Sequence, residues 1–221
     1  MRKHRDTKPQ SHREGPHQGT CFAAFLYGFV SLCLGVSFAA AATDRIICTL
    51  APNTSSYNAY SDQRPAPDAM QLAGPVNASL AAVCIPNCPR ISLFRNSTSA
   101  NAMVIDSGGK WKIVYKPEFF ATVYDAYGEA GIQAILAHEL SHAIDATTPA
   151  NWIKREWGSE LRADAWTGCS LAKLNLNPRG LRAALDVLSK YPPVPALDWT
   201  SRLQVLRIGY MQCGGNGSKL P

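Results

Sequence analysis

Residues 132–145 read Ile132-Gln133-Ala134-Ile135-Leu136-Ala137-His138-Glu139-Leu140-Ser141-His142-Ala143-Ile144-Asp145. The spacing predicts a helix, stopped by Thr147-Thr148-Pro149. On a helix, His138 and His142 stand one turn apart on the same face, close enough for both imidazoles to reach one ion. Glu139 lies about 100° further round. It is too far round to share the ion with both rings, yet able to reach a water held there. That is the disposition metal-assisted hydrolysis needs. The rest of the segment is apolar on nearly every face, so the helix is expected to be buried. Two imidazoles and a carboxylate in such a helix are costly without strong partners. A bound metal would satisfy all three.

The other ligands can be sought by elimination. The chain has five histidines, and His4, His12 and His17 fall in an N-terminal segment expected to be removed. His138 and His142 are then the only imidazoles left, so a three-histidine site is excluded and a carboxylate must complete the set. Glu160, in Glu160-Leu161-Arg162-Ala163-Asp164, is the best candidate. On the next helix, Glu160 and Asp164 at i and i+4 face one way. Glu160 can bind the ion while Asp164 accepts the free ring N–H of a ligand histidine and fixes its tautomer. The alternative for Glu160 is a solvated acidic edge paired with Arg162. Asp145 is a second candidate ligand, although it fits a place at the helix end or beside the ligands better.

Around this centre the chain reads as α+β. Residues 102–106 and 111–115 flank Ser107-Gly108-Gly109-Lys110 and predict a hairpin. Pro117 suits the first turn of a helix carrying Phe119, Phe120, Val123 and Tyr124, broken between Gly128 and Gly131. Three further helices are expected over about 156–174, 178–190 and 199–212. Residues 43–100 are expected to be an irregular N-terminal region wrapped on the surface, because residues 49–101 are rich in Pro, Asn, Ser and Ala with weak periodicity.

His138-Glu139-Leu140-Ser141-His142 followed by Glu160-Leu161-Arg162-Ala163-Asp164 resembles the gluzincin metallopeptidases. Within them it is most similar to the soluble minigluzincins and the CAAX-endopeptidase/heat-shock membrane protease group. The resemblance runs from about Asn101 to Cys213. It implies a zincin-like domain over 101–221, with His138, His142 and Glu160 holding one Zn²⁺ and Glu139 activating the water. It also implies that the strand at 111–115 pairs with an extended peptide. The His-Pro pair usual ahead of the last helix in that group is missing here, where Asp198-Trp199 stands. Tyr210, Arg202 and Tyr115 are therefore the candidates for stabilising the transition-state oxyanion.

Residues 1–20 are basic and polar, and residues 21–42 carry no charge and end in Ala40-Ala41-Ala42. This is the pattern of a cleaved secretory signal, residues 1–42, with an uncleaved anchor through 21–42 as the alternative. No later stretch could span a membrane, so an exported protein, periplasmic or secreted, is expected. Five cysteines remain beyond the signal: Cys48, Cys84, Cys88, Cys169 and Cys213. In an oxidising compartment they predict two disulfides and one leftover thiol. Cys84–Cys88 and Cys169–Cys213 are candidate pairs, either of which the odd cysteine could displace. A zinc-binding cysteine set is the alternative, although no Cys-x-x-Cys occurs.

The formal charge is +6, falling to +3 (17 basic against 14 acidic residues) without residues 1–42. So little basic excess excludes a nucleic-acid binder. The expected partner is a peptide or protein substrate, with the oligomeric state left open. Two other functions compete: a zinc amide hydrolase acting on cell-wall peptides, and a non-catalytic exported module that keeps zinc.

Overall fold

A computed structural model describes residues 44–50 and 57–220. The signal or anchor expected at 1–42 lies outside the described residues. Among those described, no helix is long and apolar enough to cross a membrane.

The architecture is α+β, a four-stranded sheet with five helices. The strands are β1 (Arg45–Leu50), β2 (Ile91–Arg95), β3 (Ala102–Asp106) and β4 (Trp111–Tyr115), in the order β1-β3-β4-β2. β1 and β4 both run antiparallel to β3, while β2 runs parallel to β4. β3 and β4 form the expected hairpin, with Gly108 at φ 63° and Gly109 at φ 85° carrying a turn that side chains with a Cβ resist. Both strands are buried on both faces. One face meets the helical core, and the other closes over a small cluster of Ala100, Met103, Ile105 and Val114.

The helices are α1 (Pro67–Cys84), α2 (Pro117–Thr147), α3 (Ser159–Leu174), α4 (Pro178–Lys190) and α5 (Trp199–Gln212). The two helices expected either side of 128–131 are one run bent at Gly128, whose φ of 63° and ψ of −162° no helical residue adopts. Beyond the bend, every residue from Gly131 to Ile144 is buried. α2 is thus the central helix, packed on the sheet, α1, α3 and α4. α3 and α5 cross at Gly168 and Gly209, where a Cβ would run into the Leu206 and Ala165 carbonyls. That contact lets the two backbones approach closely, and Cys169–Cys213 joins the same pair of helices.

The irregular region expected over 43–100 is corrected by β1, α1 and β2. Pro75 and Gly74 lie inside α1 and mask its helical character. Its buried stripe of Ala69, Val76, Leu80 and Cys84 is narrow, because small residues fill most of the other positions. The second disulfide, Cys84–Cys88, fastens the end of α1 to the loop leading to β2.

Candidate metal centre

His138 and His142 project from the buried half of α2, with ring centroids 5.1 Å apart and planes at 86°. Glu160 comes from the first turn of α3, where a negative side chain is favoured by the helix dipole. Glu160 Oε2 lies 3.3 Å from His138 Nε2 and 3.4 Å from His142 Nε2. A fourth group arrives from β1: Cys48 Sγ is 3.6 Å from Glu160 Oε2 and 3.9 Å from His138 Nε2. All four donor atoms fall within 4.8 Å of one another, and all four residues are buried.

These spacings are long for hydrogen bonds but close to the edges of a metal tetrahedron. With zinc-type bond lengths, tetrahedral angles give about 3.4 Å from nitrogen to oxygen and about 3.6 Å from sulfur to oxygen or nitrogen. His142 Nε2 has no hydrogen-bond partner despite its burial, as expected of a lone pair reserved for an ion. The residues present therefore fit one metal ion.

The electrostatics of the metal-free chain are strained. Burial alone would lower the His138 pKa, but Asp164 and then Glu160 outweigh it and raise it to about 10. Burial holds His142 below the ordinary value. It also pushes Cys48 well up, reinforced by the charges of Glu139 and Glu160. Glu160 is held well below the carboxylate range, the two imidazoles overcoming the cost of burial. A divalent cation at the centre would supply the positive charge this set lacks and favour thiolate and neutral imidazole.

Glu139 differs from the other four. It is fully buried, neither carboxylate oxygen has a hydrogen-bond partner, and desolvation raises its pKa to about 8. An orphaned carboxylate beside a ligand set costs stability that a purely structural centre has no reason to spend.

Asp164 sits behind the centre, its Oδ1 3.1 Å from His138 Nδ1, although the ring N–H is not aligned for a good hydrogen bond. Arg202 clamps Asp164 in turn, Nε to Oδ2 at 2.7 Å and Nη2 to Oδ1 at 2.9 Å, while Nη1 donates to the Leu188 carbonyl at 2.7 Å. Arg202 is 1 % exposed and all three of these nitrogens are engaged. This corrects its candidacy as an oxyanion donor: it is a buttress. Tyr115 is also committed, its hydroxyl accepting from Ala66 N–H and its ring stacked on Phe120. Tyr210 is buried against Gly215. Asp145 lies away from the ligands and pairs with Arg162 at 2.8 Å, so Arg162 does not take Glu160. Trp166 packs edge-on against Trp152 in the core.

The implied pairing of residues 111–115 with a peptide is also corrected. β4 has β3 on one side and β2 on the other, leaving neither edge open. Cys48 is the residue that sequence reasoning missed. Its signal was the thiol left over once Cys84–Cys88 and Cys169–Cys213 are paired. No known protein family, curated protein or solved structure matches this chain.

Proposed function

We propose that the chain is an exported zinc-dependent endopeptidase in which His138, His142 and Glu160 hold the metal and Glu139 is the general base. The observation that carries the reading is Glu139: a buried carboxylate with both oxygens unpartnered, one residue along from the first of two imidazoles that converge with a second carboxylate. Zinc is favoured over other ions by the mixed nitrogen, oxygen and sulfur donors and their near-tetrahedral spacing. Two disulfides accord with an oxidising compartment.

A zinc ion bound there supplies Lewis acidity, making a water acidic near neutral pH and polarising a peptide carbonyl. Glu139 takes the proton from the attacking water and delivers it to the leaving amine nitrogen. Asp164 stands beside the His138 ring as its counter-charge, and Arg202 holds Asp164 in place.

A second reading is a closed, non-catalytic zinc site, favoured by the presence of Cys48 as a possible fourth donor. One experiment separates the two. Zinc content and chelator-sensitive hydrolysis of an unfolded protein are measured for the wild type and Glu139→Gln. The expected result is about one zinc per chain in both, with hydrolysis lowered by about 10²–10⁴ in the variant. Equal hydrolysis rates in the two proteins would refute the role of Glu139.

A further inference from the structure

β1 has two properties that the chemistry above does not use. It occupies the outer edge of β3, pairing Arg45 with Asp106 and Leu50 with Ala102. Because the strand order is β1-β3-β4-β2, β1 is the sheet edge that carries Cys48 of the ligand cluster, and the outer edge of β3 would become that edge only with β1 displaced. An extended peptide recruited to this sheet next to the metal would bond to that edge by strand addition, and β1 has taken its place. The second property is the register shift between Ile46 and Cys48. A bulge of this kind re-aims a side chain, and here the strand delivers Cys48 Sγ to within bonding range of the same point as the imidazoles and Glu160.

From these observations we infer that β1 is an internal latch on the site, filling the strand position of an extended substrate while Cys48 supplies a fourth ligand in place of the reacting water. The inference rests on the metal centre proposed above and specifies how it is regulated. A catalytic zinc site keeps one position open, whereas four protein ligands close it. His138 and Glu139 are each 0 % exposed and Cys48 is 2 % exposed, so no peptide carbonyl reaches Glu139 in this conformation.

The ties of β1 are unequal along its length. Leu50 is fully buried and bridges Pro193, and Thr49 accepts a hydrogen bond from Val194 N–H. Arg45 and Ile46 are exposed; Arg45 pairs with Asp106, and Asp44 just ahead of the strand accepts from Ser107 and pairs with Lys112. Release from the Arg45 end toward Cys48 therefore breaks the polar ties of Asp44 and Arg45 while the apolar anchor at Leu50 stays in place. The substrate that replaces it is an extended peptide running antiparallel to β3.

The test loads the full chain with Co²⁺ and records its absorption. Wild type is expected to show a thiolate-to-cobalt charge-transfer band, absent in Cys48→Ala and Cys48→Ser, while the visible ligand-field bands persist in all three. Hydrolysis of an unstructured peptide by the zinc forms is expected to rise about tenfold or more in the variants. Cobalt binding to the wild type without the thiolate band overturns the latch and leaves the three-ligand centre standing. The band with equal hydrolysis in wild type and variants also overturns it. The band with no hydrolysis in any of the proteins overturns the peptidase reading and leaves Cys48 as a ligand of a closed site. Failure of all three proteins to bind cobalt overturns both.

Discussion

Replacing Arg202 by methionine keeps much of the side-chain volume and removes the guanidinium that neutralises Asp164. Asp164 is 0 % exposed and would lose both members of its fork, at 2.7 and 2.9 Å. The Leu188 carbonyl would lose its donor as well. Breaking a buried pair from one side costs about 3–5 kcal/mol, because the surviving charge stays buried. Here one countercharge survives. In the metal-free chain His138 is protonated at neutral pH, its pKa raised to about 10, and its Nδ1 lies 3.1 Å from Asp164 Oδ1. The expected loss is therefore at the lower end, about 3 kcal/mol. That is a large share of the roughly 5–15 kcal/mol by which domains are stable. Urea unfolding in the presence of a chelator measures it directly, and Arg202→Lys, which keeps the charge but not the fork, should fall between the two. A loss below about 1 kcal/mol would refute the view that Arg202 and Asp164 form a buried, mutually dependent pair behind the candidate metal centre.

Two further outcomes test the framework around the centre. Gly209→Ala places a methyl against the Ala165 carbonyl, where neither backbone can yield without parting α3 from α5. A loss at or beyond the upper part of the usual 1–3 kcal/mol overpacking range is expected by urea unfolding, and an unchanged midpoint would contradict the close crossing. The chelated protein should also lose stability as pH rises from about 6.5 to about 10, whereas below 6.5 the lowered pKa of His142 opposes the trend. His138, raised from 6.5 to about 10, contributes stability that is complete below 6.5 and lost as pH passes its folded value. Glu139, raised from 4.5 to about 8, is easier to ionise in the unfolded chain, so it adds to the loss until pH passes about 8. Thermal melts in chelator at a series of pH values would show the trend, and a maximum near pH 9 would contradict it.

Much of this site was legible in residues 132–164. Helical spacing alone puts His138 and His142 on one face and sets Glu139 aside from them, whatever the rest of the chain does. A carboxylate pair at i and i+4 on the following helix is equally local, which is why Glu160 and Asp164 could be named together beside the histidines. The hairpin and the helices from Pro117 onward follow from turn residues and apolar periodicity, and hence the α+β class. The α1 helix was obscured because Pro75, Gly74 and many small residues dilute its stripe, and propensity says little where burial is supplied by distant partners.

What tertiary structure alone decided is which long-range neighbours meet. Nothing near Cys48 in the chain distinguishes a free thiol from a ligand. Its place beside His138 and Glu160, 90 and 112 residues away, depends on β1 joining β3 and on the bulge that turns its side chain. Arg202 looked available for catalysis until the packing of α5 on α3 brought it onto Asp164. Local periodicity fixes which way a side chain points from its own element. Only the packing of elements fixes what it points at.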